Sequence, residues 1–162
     1  MLKRLLVPLD GSRFGSLAVK YAREIAQRFD SEIVLLRVIP SEPEVPVTTG
    51  NMPIMTSPSE TGLSVEEAMK EDKGNWKHAN RYLSKKAREL QAENVKAVYQ
   101  VVEGDAADSI MDFSNNENID AIVMTTHGES GLRRMLLGSV ADTVIRQSGK
   151  PVLVIRPPSM SK

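Results

Sequence analysis

The 162-residue chain has no cysteine. That excludes a disulfide framework, a thiol nucleophile and a cysteine-based zinc site. Its two histidines, His78 and His127, are too few for a histidine-rich metal centre. Aromatic residues make up 4 %, which argues against a stacking platform for single strands or sugars. Neither sign of charge is in excess: lysine plus arginine and aspartate plus glutamate number 21 each. A nucleic-acid partner is therefore not expected, because phosphate neutralisation by basic groups supplies most of such affinity. No apolar run approaches the ~20 residues of a membrane span. The opening MLKRLLVPLDGS stops being apolar at Asp10, too soon for a signal-peptide core. The expected location is the cytoplasm.

What is present alternates. The short run 3–9 ends in the turn signal Asp10-Gly11-Ser12. Leu17, Ala18, Tyr21, Ala22, Ile25, Ala26 and Phe29 then recur at helical spacing. Residues 33–39 are nearly all apolar, as in a strand buried on both faces. From about 40 to 62 the pattern breaks, and five of the nine prolines fall there. This is an insertion loop, unusual in length for a single domain. Ser64 and Glu67 form a capping box for a long helix with Trp76, Ala79, Leu83, Ala87 and Leu90 on its apolar stripe. Gly74 is a point where that helix could break. Residues 96–102 suggest a third strand, Asp105 a helix N-cap, 120–126 a fourth strand, Ser139 to Gly149 a last helix with its stop signal, and 151–156 a fifth strand. A single domain over 1–157 with a tail at 158–162 follows. Strict alternation predicts an α/β fold: an open parallel sheet of five strands covered by helices. Ligands of such sheets bind at the carboxyl ends of the strands, where the winding reverses.

Three segments at those ends carry chemistry. Thr125-Thr126-His127-Gly128 leaves a strand, and Gly138-Ser139-Val140 opens a helix. A helix start offers free N–H groups and the positive end of a dipole, and a glycine lets phosphate oxygens approach the main chain. The competing reading is structural, with Ser139 and Asp142 as a capping box. Asp10, at the end of the first strand, could bond a ribose hydroxyl or a base edge, join a metal shell, or simply make a tight turn. Val38, near the end of the second strand, could lie against a ring. His127 is a candidate base or phosphate donor, or a loop spacer. Arg133 and Arg134 could reach a terminal phosphate or be a solvated pair. Asp105 and Asp108 read better as cap and dipole partner than as paired catalytic carboxylates. The P-loop, the dinucleotide fingerprint and the nucleophile elbow are all missing.

Taken together, Val7-Pro8-Leu9-Asp10-Gly11-Ser12, Val38, Gly104-Asp105, Met124-Thr125-Thr126-His127-Gly128, Gly138-Ser139-Val140-Ala141 and Pro151-Val152-Leu153-Val154-Ile155 resemble the universal stress protein family over nearly the whole chain. The resemblance implies a three-layer, Rossmann-like fold of the adenine nucleotide α-hydrolase type, with strand order 3-2-1-4-5. It also implies a homodimer, for which the exposed edge of strand five, Pro151 to Arg156, is the expected seam. One branch of the family binds ATP through G-x-x-G-(nine residues)-G-S/T. Gly128, Gly138 and Ser139 match that pattern, and Thr125 stands where its first glycine would be. The binding set the resemblance implies is Pro8, Leu9, Asp10 and Val38 around adenine, Met124 and Thr125 near base and ribose, and His127, Gly128, Gly138, Ser139 and Val140 toward the phosphates. A magnesium or manganese ion could accompany those phosphates through Ser139.

The resulting expectation is an ATP-dependent regulatory protein with at most slow hydrolysis, acting on a downstream partner the sequence does not identify. The alternatives are a dimer whose crevice Thr125 closes to nucleotide, and a related adenine-nucleotide α-hydrolase. The second needs a serine- and glycine-rich loop after strand one, which Asp10-Gly11-Ser12-Arg13-Phe14-Gly15 matches poorly.

Overall fold

The computed structural model describes residues 2–12, 14–41, 45–49, 52–56, 65–126 and 137–157, with the backbone alone for 45–49, 52–56 and 65–73. In chain order they form β1 (Arg4–Pro8), α1 (Gly15–Phe29), β2 (Glu32–Ile39), β3 (Val45–Thr49), β4 (Met52–Thr56), α2 (Val65–Ala92), β5 (Ala97–Glu103), α3 (Ala106–Asn116), β6 (Ala121–Thr125), α4 (Ser139–Gln147) and β7 (Val152–Ile155).

Five strands make one sheet in the order β5-β2-β1-β6-β7. Every neighbouring pair is parallel. This is the expected 3-2-1-4-5 arrangement. The pleat divides the apolar strand residues between two layers. On one face Leu5, Val7, Leu9, Ile33, Leu35 and Val123 meet Ala18, Ala22 and Ala26 of α1 and Leu83, Ala87 and Leu90 of α2. The alanines recur every four residues, so one stripe of small side chains brings α1 close to the sheet. On the other face Leu6, Val34, Leu36, Ile122 and Met124 meet Ile110 of α3 and Ala141 and Val144 of α4. The outer strands are less covered: Val98 and Tyr99 of β5 and Leu153 of β7 are exposed.

Two expectations change. The segment read as an irregular loop carries a two-stranded antiparallel ribbon, β3 with β4, pairing Val45 with Thr56 through Thr49 with Met52. Its prolines had argued against regular pairing, but an isolated two-stranded ribbon is all edge and tolerates them. Helix α2 runs through Gly74 without a break. A single glycine costs only about 1 kcal/mol in a helix, which the buried stripe over β5 and β2 outweighs. The Ser64 cap lies outside the described residues.

Each helix returns to the next strand through a residue with positive φ: Asp30 at 53°, Asn94 at 60°, Asn118 at 52° and Gly149 at 63°. These residue types adopt the left-handed region most readily. At this amino end of the sheet Asp120 accepts from the backbone N–H groups of Lys3 (2.6 Å) and Arg4 (2.9 Å). Those bonds hold its carboxyl below the usual carboxylate range. The Arg4 guanidinium pairs with Glu32 at 2.9 Å and donates to the Glu117 carbonyl.

Candidate functional site

At the opposite, carboxyl end, β1 has β2 on one side and β6 on the other, so the chain's winding reverses there. A cavity of about 140 Å³ opens at this point, lined by Pro8, Leu9, Asp10, Leu36, Val38, Ala106, Ile110, Met124, Thr125, Thr126, Gly138, Val140 and Ala141. Its position is the one an open parallel sheet prescribes for a ligand. Its inner wall is apolar, from Leu36 and Val38 on β2, Ile110 on α3 and Met124 on β6. Its rim is polar, from Asp10, Thr125, Thr126 and the start of α4.

The backbone places these groups. The Leu9 N–H bonds the Leu36 carbonyl at 2.8 Å, which fixes the end of β1 against β2. Gly11 then turns with φ 83°, and the Asp10 carboxylate accepts from the Ser12 N–H at 2.9 Å. Ser12 Oγ is buried at this turn without a hydrogen-bond partner among the described residues. Just past β6, the Thr126 N–H bonds the Ile155 carbonyl at 3.0 Å. The Gly138 N–H bonds the Thr126 carbonyl at 2.8 Å. That bond closes the ends of the 127–137 segment on each other and sets the first turn of α4 beside the strand.

The two helix starts at the cavity differ. At α3 the Asp105 carboxylate accepts from the N–H groups of Ala107 (2.8 Å) and Asp108 (3.1 Å), as predicted. At α4 the N-cap is Gly138, with no side-chain cap. Ser139 is thus the first helical residue, and the alternative capping box is not formed. The carboxylate of Asp142 turns to Arg146 at 2.9 Å. The first N–H groups of a helix have no intrahelical acceptor, so α4 keeps a donor set for an anion that α3 spends on its own aspartate.

Of the predicted residues, Pro8, Leu9, Asp10, Val38, Met124, Thr125, Gly138 and Val140 line this one cavity. Ser139 is next to two lining residues and is not itself in the wall. His127, Gly128, Arg133 and Arg134 lie outside the described residues. Sequence reasoning missed Leu36, Ala106 and Ile110, and it named Thr126 and Ala141 in its motifs without assigning them to the binding set. Leu36 could have been found, since it precedes Val38 by two and so shares its face of β2. Ala106 and Ile110 could not, since only the docking of α3 on β2 and beside α4 brings them in. Among the described residues no three His, Asp or Glu side chains form a metal-holding group, and no helix is long and apolar enough to cross a membrane.

Comparison with known proteins agrees with this fold. The universal stress protein family model matches residues 1–156. A universal stress protein of Methanocaldococcus jannaschii is 33 % identical over 158 residues, covering 98 % of this chain and 84 % of that one. A second from the same organism is 31 % identical, over 96 % of both chains. A solved structure described as a structure-based assignment of the biochemical function of a hypothetical protein superposes with a TM-score of 0.75 at 28 % identity, covering 98 % of each chain. Two more distant structures share the fold and hold nucleotides. One universal stress protein is in complex with cAMP (TM-score 0.59, 18 % identity, covering 96 % of this chain and 97 % of that one). An Arabidopsis thaliana family protein has AMP bound (TM-score 0.61, 19 % identity, covering 97 % and 93 %). With a family model spanning nearly the whole length and the sheet, crevice and helix start arranged as described, this chain belongs to the universal stress protein family.

Proposed function

We propose that the protein is a cytoplasmic, ATP-binding regulatory protein whose crevice between β1, β2 and β6 holds the nucleotide. The observation that carries the reading is the pairing of an apolar slot with an uncapped helix start. A purine is flat and largely apolar on its faces, and Leu36, Val38, Ile110 and Met124 offer it such a wall. A phosphate chain needs donors, and the first turn of α4 supplies backbone N–H groups without requiring a basic excess. This accords with a chain of zero net charge. Asp10 and Thr125 stand at the rim between the two, where a ribose would present its hydroxyls. Ser139 would meet the phosphates and any magnesium or manganese ion they carry. The AMP- and cAMP-bound relatives support the nucleotide class.

The arrangement favours holding over turnover. The described residues of the cavity include one carboxylate, Asp10, and it is engaged with the Ser12 N–H. Hydrolysis is at most slow. Binding at the first turn of α4, which the Gly138 N–H ties to the Thr126 carbonyl, would couple occupancy to the surface shown to a partner. The homodimer would form through the β7 edge, where Leu153 is 40 % exposed and backbone groups are open to a second strand.

The test is mass spectrometry of nucleotide released from the purified, denatured protein. Stoichiometric ATP is expected. Absence of any nucleotide, together with no calorimetric response to added ATP, would overturn the reading in favour of a crevice closed by Thr125. AMP with continuous turnover would overturn it in favour of an enzyme.

A further inference from the structure

The pleat of β2 separates two cavities. Leu36 and Val38 face the crevice described above, whereas Arg37 and Ile39 face the other side of the sheet. There they line a second cavity of about 420 Å³ with Gly11, Pro40, Asn75, His78, Ala79 and Tyr82. Asn75, His78, Ala79 and Tyr82 are one face of α2, at spacings of three, four and seven. The β1–α1 turn forms the opposite wall.

Its chemistry differs from that of the first cavity. Among the described residues of its lining the one formal charge is the Arg37 guanidinium, and His78, Asn75 and Tyr82 add a ring N–H, an amide and a phenol. Arg37 donates one hydrogen bond, from Nη1 to the Leu9 carbonyl at 3.3 Å. None of the ion pairs among the described residues involves it. A guanidinium has five N–H donors, so most of the fork is unspent among the described residues. The turn is shaped around it: a Cβ at Gly11 would stand 3.1 Å from Nη1, 3.6 Å from Cζ and 3.7 Å from Nη2, and φ there is +83°. The nearest carboxylate of the turn, Asp10, lines the first cavity and its Oδ1 accepts from the Ser12 N–H; its charge also reaches this side, where burial first and the Asp10 carboxylate second push the Tyr82 phenol up against the opposing pull of Lys86 and Arg37.

We propose that this second cavity is a binding site for a small oxyanion, a phosphate or carboxylate group held by the Arg37 fork with donors from His78 and Asn75. A planar guanidinium matches two oxygens of either group. The site lies across the sheet from the crevice assigned to nucleotide, and it stands whether or not that assignment does. Both cavities share the β1 end: Asp10 lines one and Gly11 the other, so an anion on Arg37 presses on the turn that carries the rim of the first.

The chain contains a single tryptophan, Trp76, and two histidines, which makes the test direct. Trp76 is on α2 between Asn75 and His78. The full chain is titrated with inorganic phosphate and, separately, with citrate, following Trp76 emission and the His78 imidazole NMR signal, assigned with His127→Ala. A saturable change in both signals is expected in at least one arm, and the tighter arm identifies the group. Arg37→Gln should weaken that binding at least about tenfold. Asn75→Leu, at an exposed helical position, should weaken it less. Gly138→Val should leave it unchanged. The proposal is overturned if neither anion gives a saturable response, if Arg37→Gln and Asn75→Leu both bind as the parent does, or if Gly138→Val removes the response and so places the anion at α4.

Discussion

The two ends of the sheet use their polar groups in opposite ways. At the amino end, Asp120 is committed to the N–H groups of Lys3 and Arg4, and Arg4 to Glu32 and Glu117. Ser31 Oγ donates to the Leu2 carbonyl, and Gln91 donates to the Ala97 carbonyl at 2.8 Å. The four helix-to-strand returns there are closed by left-handed Asp30, Asn94, Asn118 and Gly149. At the carboxyl end the same fold leaves, among the described residues, a helix start uncapped, a guanidinium largely unspent and a serine hydroxyl unpartnered. A parallel sheet makes this division possible. Its strands all end at one face, so stability can be concentrated at one end and recognition at the other.

Substitutions at each end should therefore separate the two properties. The largest effect is expected from Gly138→Val. A branched side chain at the start of α4 fills the space a phosphate would occupy, and nucleotide affinity should fall at least about 100-fold, or about 2.7 kcal/mol. Calorimetric titration with ATP measures it, and the urea midpoint should barely move. If the midpoint fell as steeply as the affinity, the carboxyl end would be part of the structural scaffold after all.

Asp120→Ala is the converse. It strips the acceptor from two backbone N–H groups and should cost about 1–2 kcal/mol of stability by urea unfolding, with nucleotide affinity unchanged. It also has a pH signature. The folded-state pKa of Asp120 is lowered, so its contribution is complete above the unfolded value and is lost as pH falls through the folded one. The gap between parent and variant should close on acidification, and a gap that widened would contradict the assignment. The smallest effect is expected at the helix returns. Asn118→Ala forces a Cβ-bearing residue without a compensating side-chain bond into the left-handed region and should cost about 1 kcal/mol, whereas Asn118→Gly should be near neutral. Equal losses for the two, by thermal unfolding, would show that φ is not what matters there.

Most of the fold was legible because its signals are local. The apolar run 33–39, the four-residue recurrence of Ala18, Ala22 and Ala26, the Asp105 cap and the Gly149 stop each depend on neighbours in sequence. The β3–β4 ribbon was not legible, because two short strands among prolines carry little periodicity. Unbroken α2 was not legible either, since Gly74 reads as a weakness until the packing of the helix on β5 and β2 is known. At the site, strand-end residues such as Pro8, Asp10, Val38 and Thr125 were recognisable from position and family resemblance. Ile110 and Ala106 were invisible, because α3 reaches the crevice only by packing on β2 and beside α4. Arg37 was not legible as a site residue, because a lone cation in an apolar run has no spacing to mark it.

The sequence by itself determined the alternation of strands and helices, the family, and the strand ends that line the crevice. These follow from periodicity, turn chemistry and motif spacing. Only the tertiary structure decided that Val38 and Arg37, adjacent in the chain, serve cavities on opposite faces of one sheet. The reason is geometric: a strand's pleat sends neighbours to opposite sides, and what waits on each side is set by helices distant in sequence, α3 and α4 on one and α2 on the other.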